Sequence, residues 1–181
     1  MKAAVLLTEG FEEIEFSTIV DILRRAGVDV VIVGLKEGEI TGSHGIRMIP
    51  DVPLDGIEAS DLDAVVLPGG FPGFMNLSQN ERVIKLVKEM YSEQKYVAAI
   101  CGAPFVLSQA GILEGKRATI HPSGREMLTG ARYIDDRVVV DGKVVTSQGP
   151  GTAMEFSLKL VEMWAGEHKV EEVNKEVLAK L

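Results

Sequence analysis

The stretch YVAAICGAPFVLSQAG, residues 96–111, carries an apolar run into a small-residue hinge and out again into a second apolar run. Tyr96 to Ile100 reads as a buried strand and Phe105 to Ala110 as a helix, so Cys101 stands on the turn between them, at the carboxyl edge of a sheet. A nucleophile on such a turn needs small residues two places before and two places after it, because larger side chains collide there. The G-x-S-x-G pattern meets that demand around a serine, and Ala99-Ile100-Cys101-Gly102-Ala103 meets it around a thiol. The helix that follows aims its N-terminal N–H groups at the sulfur, which predicts a lowered thiol pKa. A cysteine serving only as a small core hydrophobe has no need of small flanks.

The rest of the chain supplies the elements that such a turn requires. Short β-branched runs at Ala3 to Leu7, Val28 to Val33, Ala64 to Leu67, Val97 to Ile100, Val138 to Val140 and Val144 to Thr146 read as strands, several apolar on both faces. Helical patterns fall between them: Glu12 to Ala26, Asn80 to Glu93 with Ser78 as its cap, Ala103 to Ala110, Ser123 to Leu128, Thr152 to Ala165 and Val170 to Ala179. The alternation predicts an α/β fold with a mostly parallel sheet covered on both faces. Gly38 to Ile49, and Arg137 to Thr146 turning at Asp141-Gly142, read as antiparallel hairpins added to that sheet. One domain over residues 1–181 is expected from the length, with no repeat, linker or low-complexity tract.

Composition narrows the function classes. With 46% hydrophobic and 25% charged residues the balance is globular, and no apolar run is long enough to cross a bilayer. Twenty-seven acidic against 19 basic residues leave a net charge of −8, which repels phosphate backbones and argues against nucleic acid as a partner. Met1 to Val5 leads straight into a strand-like segment without an h-region, so no signal peptide is expected. The single cysteine has no disulfide partner within the chain, and an unpaired thiol suits a reducing cytoplasm.

Ligands of parallel sheets collect outside the carboxyl ends of the strands, so three loops should converge: Thr8 to Phe11, Pro68 to Gly73 and Cys101 to Pro104. In LPGGFPGF, Gly69 and Gly70 leave N–H groups free to hold an oxyanion beside Cys101. In the first helix, Glu15 falls on the inward stripe of Ile19, Ile22 and Ala26. A carboxyl group there has a raised pKa and can donate a hydrogen bond to a thiolate. Glu12 and Glu13 read simply as first-turn complements of the helix dipole. Of the three histidines, His121 ends the short strand Arg117 to Ile120 and is the best placed to serve as a base, while His44 and His168 read as surface residues. No residue pair has metal-ligand spacing and no phosphate loop is present, so neither metal nor cofactor is expected.

The ordered set EGFEEIE, DILRRAG, VVLPGG, AAICGAP, IHPSG and TSQGPGTAMEFSL resembles the ThiJ/PfpI superfamily, and within it the DJ-one branch of parkinsonism-associated deglycases, over essentially the whole chain. The resemblance implies a flavodoxin-like three-layer sandwich that forms homodimers. By the same likeness Cys101 is the oxidisable elbow nucleophile, Glu15 the protonated glutamate bonded to it, Gly70 and Gly102 the backbone N–H donors, and His121 the nearby imidazole. The implied activity is a cysteine-dependent, cofactor-free glyoxalase or deglycase acting on small reactive dicarbonyls such as methylglyoxal. Two alternatives share the thiol: a redox-responsive stress or chaperone protein that senses oxidants through Cys101, and an intracellular cysteine peptidase. The peptidase branch carries histidine directly after the cysteine, where this chain has Gly102, so a protease triad is not expected. The segment Lys169 to Leu181 is similar to a C-terminal helix that shields the site. Gln148 stands where some relatives carry arginine.

Overall fold

The structure, a computed structural model, describes residues 1–179. Along the chain lie β1 (Lys2–Leu7), α1 (Glu13–Arg25), β2 (Asp29–Gly34), β3 (Ile40–Thr41), β4 (Arg47–Met48), β5 (Val52–Pro53), β6 (Ala64–Leu67), α2 (Gly73–Gln79), α3 (Glu81–Ser92), β7 (Tyr96–Ile100), α4 (Pro104–Gln109), β8 (Arg117–Ala118), β9 (Arg132–Tyr133), β10 (Val138–Asp141), β11 (Val144–Ser147), α5 (Ala153–Ala165) and α6 (Glu167–Val177). Seven strands form the central sheet in the order β10, β11, β7, β6, β1, β2, β5. All neighbours are parallel except the β10–β11 hairpin at one edge. The mixed α/β sandwich with a mostly parallel sheet is therefore as the sequence implies.

Strand alternation sorts the core into two layers. Ala4, Leu6, Val65, Leu67, Val97 and Ala99 face α2, α3 and α4, while Ala3, Val5, Leu7, Val66, Ala98 and Ile100 face α1 and α5. Each fully buried valine or leucine here contributes roughly 1.5–3 kcal/mol. The chain leaves β1 for β2 on one side and returns to β6 on the other, which opens a crevice at the carboxyl ends of β1 and β6. The three loops expected to converge, after β1, β6 and β7, lie along that edge.

Several local expectations are corrected. Helix α3 is capped by Asn80, not Ser78: Asn80 Oδ1 accepts from the N–H groups of Arg82 and Val83 at 3.0 and 3.1 Å. Ser78 lies inside α2, a helix that the Gly-Pro-rich run before it concealed. The Gly38 to Ile49 hairpin forms its own two-stranded ladder, β3–β4, and does not join the central sheet. Backbone bonds tie it to the loop after β1, Gly10 N–H to Thr41 O at 2.8 Å and Ser43 N–H to Phe11 O at 2.9 Å, and Glu13 ties it to α1, buried and accepting from the His44 N–H at 2.6 Å, the His44 ring at 2.9 Å and the Ile46 N–H at 3.4 Å. Glu13 is thus a clamp as well as a dipole complement. The strand expected at Arg117 to Ile120 shortens to β8 and pairs with β9 outside the main sheet, and Ser123 to Leu128 is a 3₁₀ turn over Pro122–Met127. Helix α6 starts at Glu167 and packs along α5, with Val173 buried and Glu176 paired to Arg25 of α1. The last two residues of the Lys169 to Leu181 segment, Lys180 and Leu181, lie outside the described residues.

Candidate active site

Backbone hydrogen bonds bring the three loops together. The Glu12 N–H donates to Gly69 O at 3.0 Å and the Gly73 N–H to Gly10 O at 3.3 Å, tying the loop after β1 to the loop after β6. Cys101, directly after β7, donates its N–H to Ser147 O at 3.0 Å and accepts from the His121 N–H at 2.9 Å. Held between these bonds, Cys101 adopts φ +64°, a left-handed conformation that non-glycine residues seldom occupy. The turn expected from the small-x-Cys-x-small pattern is present, with its strain.

Glu15 lies behind the thiol and is wholly buried. One carboxyl oxygen, Oε2, accepts the Gly69 N–H at 2.8 Å. Oε1 has no nitrogen or oxygen partner among the described residues, and the carboxyl shares its remaining interaction with the Cys101 thiol. Burial pushes the Glu15 pKa up to about 7, against the Gly69 N–H, which lowers it; the neighbouring Glu12 adds to the rise. Glu12 itself caps α1 by accepting the Glu15 N–H at 2.7 Å.

The thiol behaves differently from the sequence expectation. Burial first, and then the Glu15 carboxylate, push Cys101 up to about 12, although the N–H groups of Gly70 and Gly102 bond the sulfur and pull the other way. The helix terminus is thus outweighed. The two groups are electrostatically coupled: once Glu15 holds a proton, repulsion is replaced by an O–H donor to sulfur, and the two N–H groups then favour thiolate.

Gly70 and Gly102 are required by packing. Gly70 has φ +95°, and a Cβ there would lie 2.3 Å from Glu12 N and from Gly10 O. A Cβ on Gly102 would lie 2.5 Å from the Phe74 ring. A cavity of about 250 Å³ opens beside the sulfur, bounded by Gly70, Phe74, Gly102, His121 and Met127 among others. His121 is exposed, and its Nδ1 lies 2.8 Å from Ser123 Oγ and accepts the Ser123 N–H at 3.3 Å. No residue of α6 lines this cavity, so the shielding expected of the C-terminal helix is not a feature of the described residues.

The residues of the DJ-1/PfpI family model match this chain over residues 1–163. The chain belongs to the DJ-1/PfpI family. Among its relatives, Protein dj-1beta of Drosophila melanogaster is 42% identical, covering 97% of this chain and 96% of that protein. A crystal structure of Drosophila DJ-1beta superposes with a TM-score of 0.94 at 43% identity, over 98% of this chain and 97% of that one. A glutathione-independent glyoxalase of Caenorhabditis elegans is 37% identical, covering 93% of this chain and 91% of its own length. A deglycase of Thermococcus kodakarensis is 34% identical, over 90% and 99%.

Two features of this DJ-1/PfpI member escaped sequence reading. Phe71 and Phe74, in the LPGGFPGF stretch, carry no signal of their own in the sequence, yet both border the cavity. Glu12, Glu13 and His44 also bring ligand-type atoms within 4.8 Å of one another, but Glu12 is engaged as a helix cap and Glu13 as the hairpin clamp. No described helix is long and apolar enough to cross a membrane.

Proposed function

We propose that this protein is a cysteine-dependent glyoxalase- or deglycase-like enzyme that converts small reactive dicarbonyls such as methylglyoxal to 2-hydroxy acids without a cofactor. The observation that carries the reading is the Cys101 sulfur, held at a strained turn between a buried carboxyl with a pKa of about 7 and two backbone N–H groups, and open to a small cavity. Relatives named glyoxalase and deglycase support the same class.

Proton transfer from Cys101 to Glu15 frees the thiolate, whose sulfur bonds to the aldehyde carbon. The carbonyl π pair moves to oxygen, where the Gly70 and Gly102 N–H groups hold it until Glu15 returns the proton, giving a hemithioacetal. The Glu15 carboxylate then takes the hydrogen on that carbon, and His121 donates a proton to the neighbouring ketone oxygen. Because His121 Nδ1 accepts from Ser123, the neutral ring carries its proton on Nε2 and acts here as an acid. Glu15 delivers its proton to the second carbon, and the first hydroxyl returns one to His121. The product is a 2-hydroxyacyl thioester. Water releases the acid and restores the thiol, so one water is added and no external electron is needed.

A peptidase is disfavoured by Gly102, whose position against Phe74 leaves no space for a base, and by a cavity smaller than the ~300 Å³ at which drug-sized sites begin. A cytoplasmic homodimer is part of the proposal. Its support is the exposure of three large apolar side chains, Ile14 of α1 and Ile46 and Ile49 of the hairpin segment, 58%, 54% and 70% accessible, and sedimentation at micromolar concentration tests it. The deciding assay is lactate release from methylglyoxal without glutathione, against Cys101→Ala. Equal rates in the two proteins would remove Cys101 from the reaction. Absence of turnover in both, with peroxide converting Cys101 to a sulfinate in intact-mass spectra, would make the protein an oxidant sensor instead.

A further inference from the structure

The lining of the cavity beside Cys101 is both polar and apolar. The N–H groups of Gly70 and Gly102 lie against the sulfur, and His121 and Ser123 also line the space. Its apolar lining is Phe71, Phe74 and Met127, with Gly124 adding no side chain, and among the described residues no Asp, Glu, Lys or Arg lines the space. An anionic or cationic substituent would find no counter-charge there.

The aromatic wall is held in place. Phe74 is anchored through its N–H to Gly70 O at 2.9 Å, and its ring meets Phe105 edge-on at 6.4 Å and Phe71 at 6.3 Å. Phe71 is 71% exposed and belongs to neither core layer, so folding does not account for an aromatic ring at the mouth of the cavity. About 250 Å³ corresponds to some eight water volumes at ~30 Å³ each. A dicarbonyl head of about four heavy atoms takes roughly half of that and leaves the remainder for a substituent.

We propose that Phe71, Phe74 and Met127 form an apolar subsite that selects α-oxoaldehydes bearing an aromatic or branched apolar group over glyoxal and over charged adducts. This rests on the reading of Cys101 as the nucleophile and specifies the substrate class for it. The bonds made and broken at the two carbonyl carbons are those already described, since the substituent only fills the subsite. An apolar pocket of this kind discriminates by about 10–200-fold for each group it accommodates.

The test compares kcat/KM for phenylglyoxal and glyoxal in the wild type and in Phe71→Ala, a substitution at an exposed site that leaves both core layers intact. The phenylglyoxal-to-glyoxal ratio should be at least about tenfold in the wild type and fall about tenfold in the variant. In parallel, intact-mass spectra follow alkylation of Cys101 by N-benzyl iodoacetamide against iodoacetamide in both proteins. The benzyl reagent should be favoured in the wild type, and the preference should collapse in Phe71→Ala. A labelling preference that collapses as expected, with neither aldehyde turned over, would sink the enzymatic reading and keep the subsite. Ratios that stay unchanged in Phe71→Ala and in Met127→Ala, in turnover or, without turnover, in labelling, overturn the subsite.

Discussion

Replacing Glu15 by glutamine should change how stability depends on pH more than it changes stability at any one pH. The carboxyl has an ordinary pKa of 4.5 in the unfolded chain and about 7 in the fold, chiefly because it is buried. Below pH 4.5 both states hold the proton, so the shift has no effect. Between 4.5 and about 7 only the folded state keeps it, and stability falls as pH rises; above about 7 the full cost of ionising a buried carboxyl is present. At ~1.36 kcal/mol per pH unit, that interval amounts to about 3 kcal/mol. The amide of Glu15→Gln has no such term. It can still accept the Gly69 N–H, but its NH₂ group must take the place of Oε1, which has no nitrogen or oxygen partner, at roughly 1–3 kcal/mol whatever the pH. The variant should therefore be less stable than wild type at pH 4.5 and gain on it by about 3 kcal/mol by pH 8. Other shifted groups, such as Glu13 and His44, are common to both proteins and cancel in the difference. Cys101, with an ordinary value of 9.0, does not enter below pH 8. Urea unfolding of both proteins across this range measures the difference, and parallel curves would refute a strained, proton-holding Glu15.

Gly102→His should not create a peptidase: its Cβ meets the Phe74 ring at 2.5 Å, so the urea midpoint should drop by the equivalent of ~1–3 kcal/mol while casein remains uncleaved. Gly69→Ala places a methyl group 2.6 Å from Cys101 Cβ and 2.9 Å from Glu15 Oε2, and should slow iodoacetamide labelling of Cys101 at least severalfold; an unchanged labelling rate counts against a tightly packed Glu15–Cys101 pair. Asn80→Ala removes the acceptor for two N–H groups at the start of α3 and should cost about 1 kcal/mol in urea unfolding, whereas Ser78→Ala, which removes only a hydroxyl bonded to Met75 O, should cost less.

What the sequence determined by itself is what short-range periodicity can encode. Alternating and continuous apolar runs located all the central strands except the two-residue β5, and the 3.6-residue stripe placed Glu15 inside while small flanks marked Cys101 as a turn. These features depend on residues within a few positions of one another. Tertiary structure decided the rest. The Glu13 clamp joins residues 31 and 33 positions apart, and no local pattern distinguishes it from a surface glutamate. The Phe74 ring against Gly102 depends on α2 packing near α4, contact between segments that periodicity treats separately. The thiol shows the difference most sharply. The helix N-terminus beside Cys101 can be read from the sequence and predicts a lowered pKa, but desolvation and the Glu15 charge act through space and raise it, because electrostatic energies follow distance and burial in the folded molecule and not order along the chain.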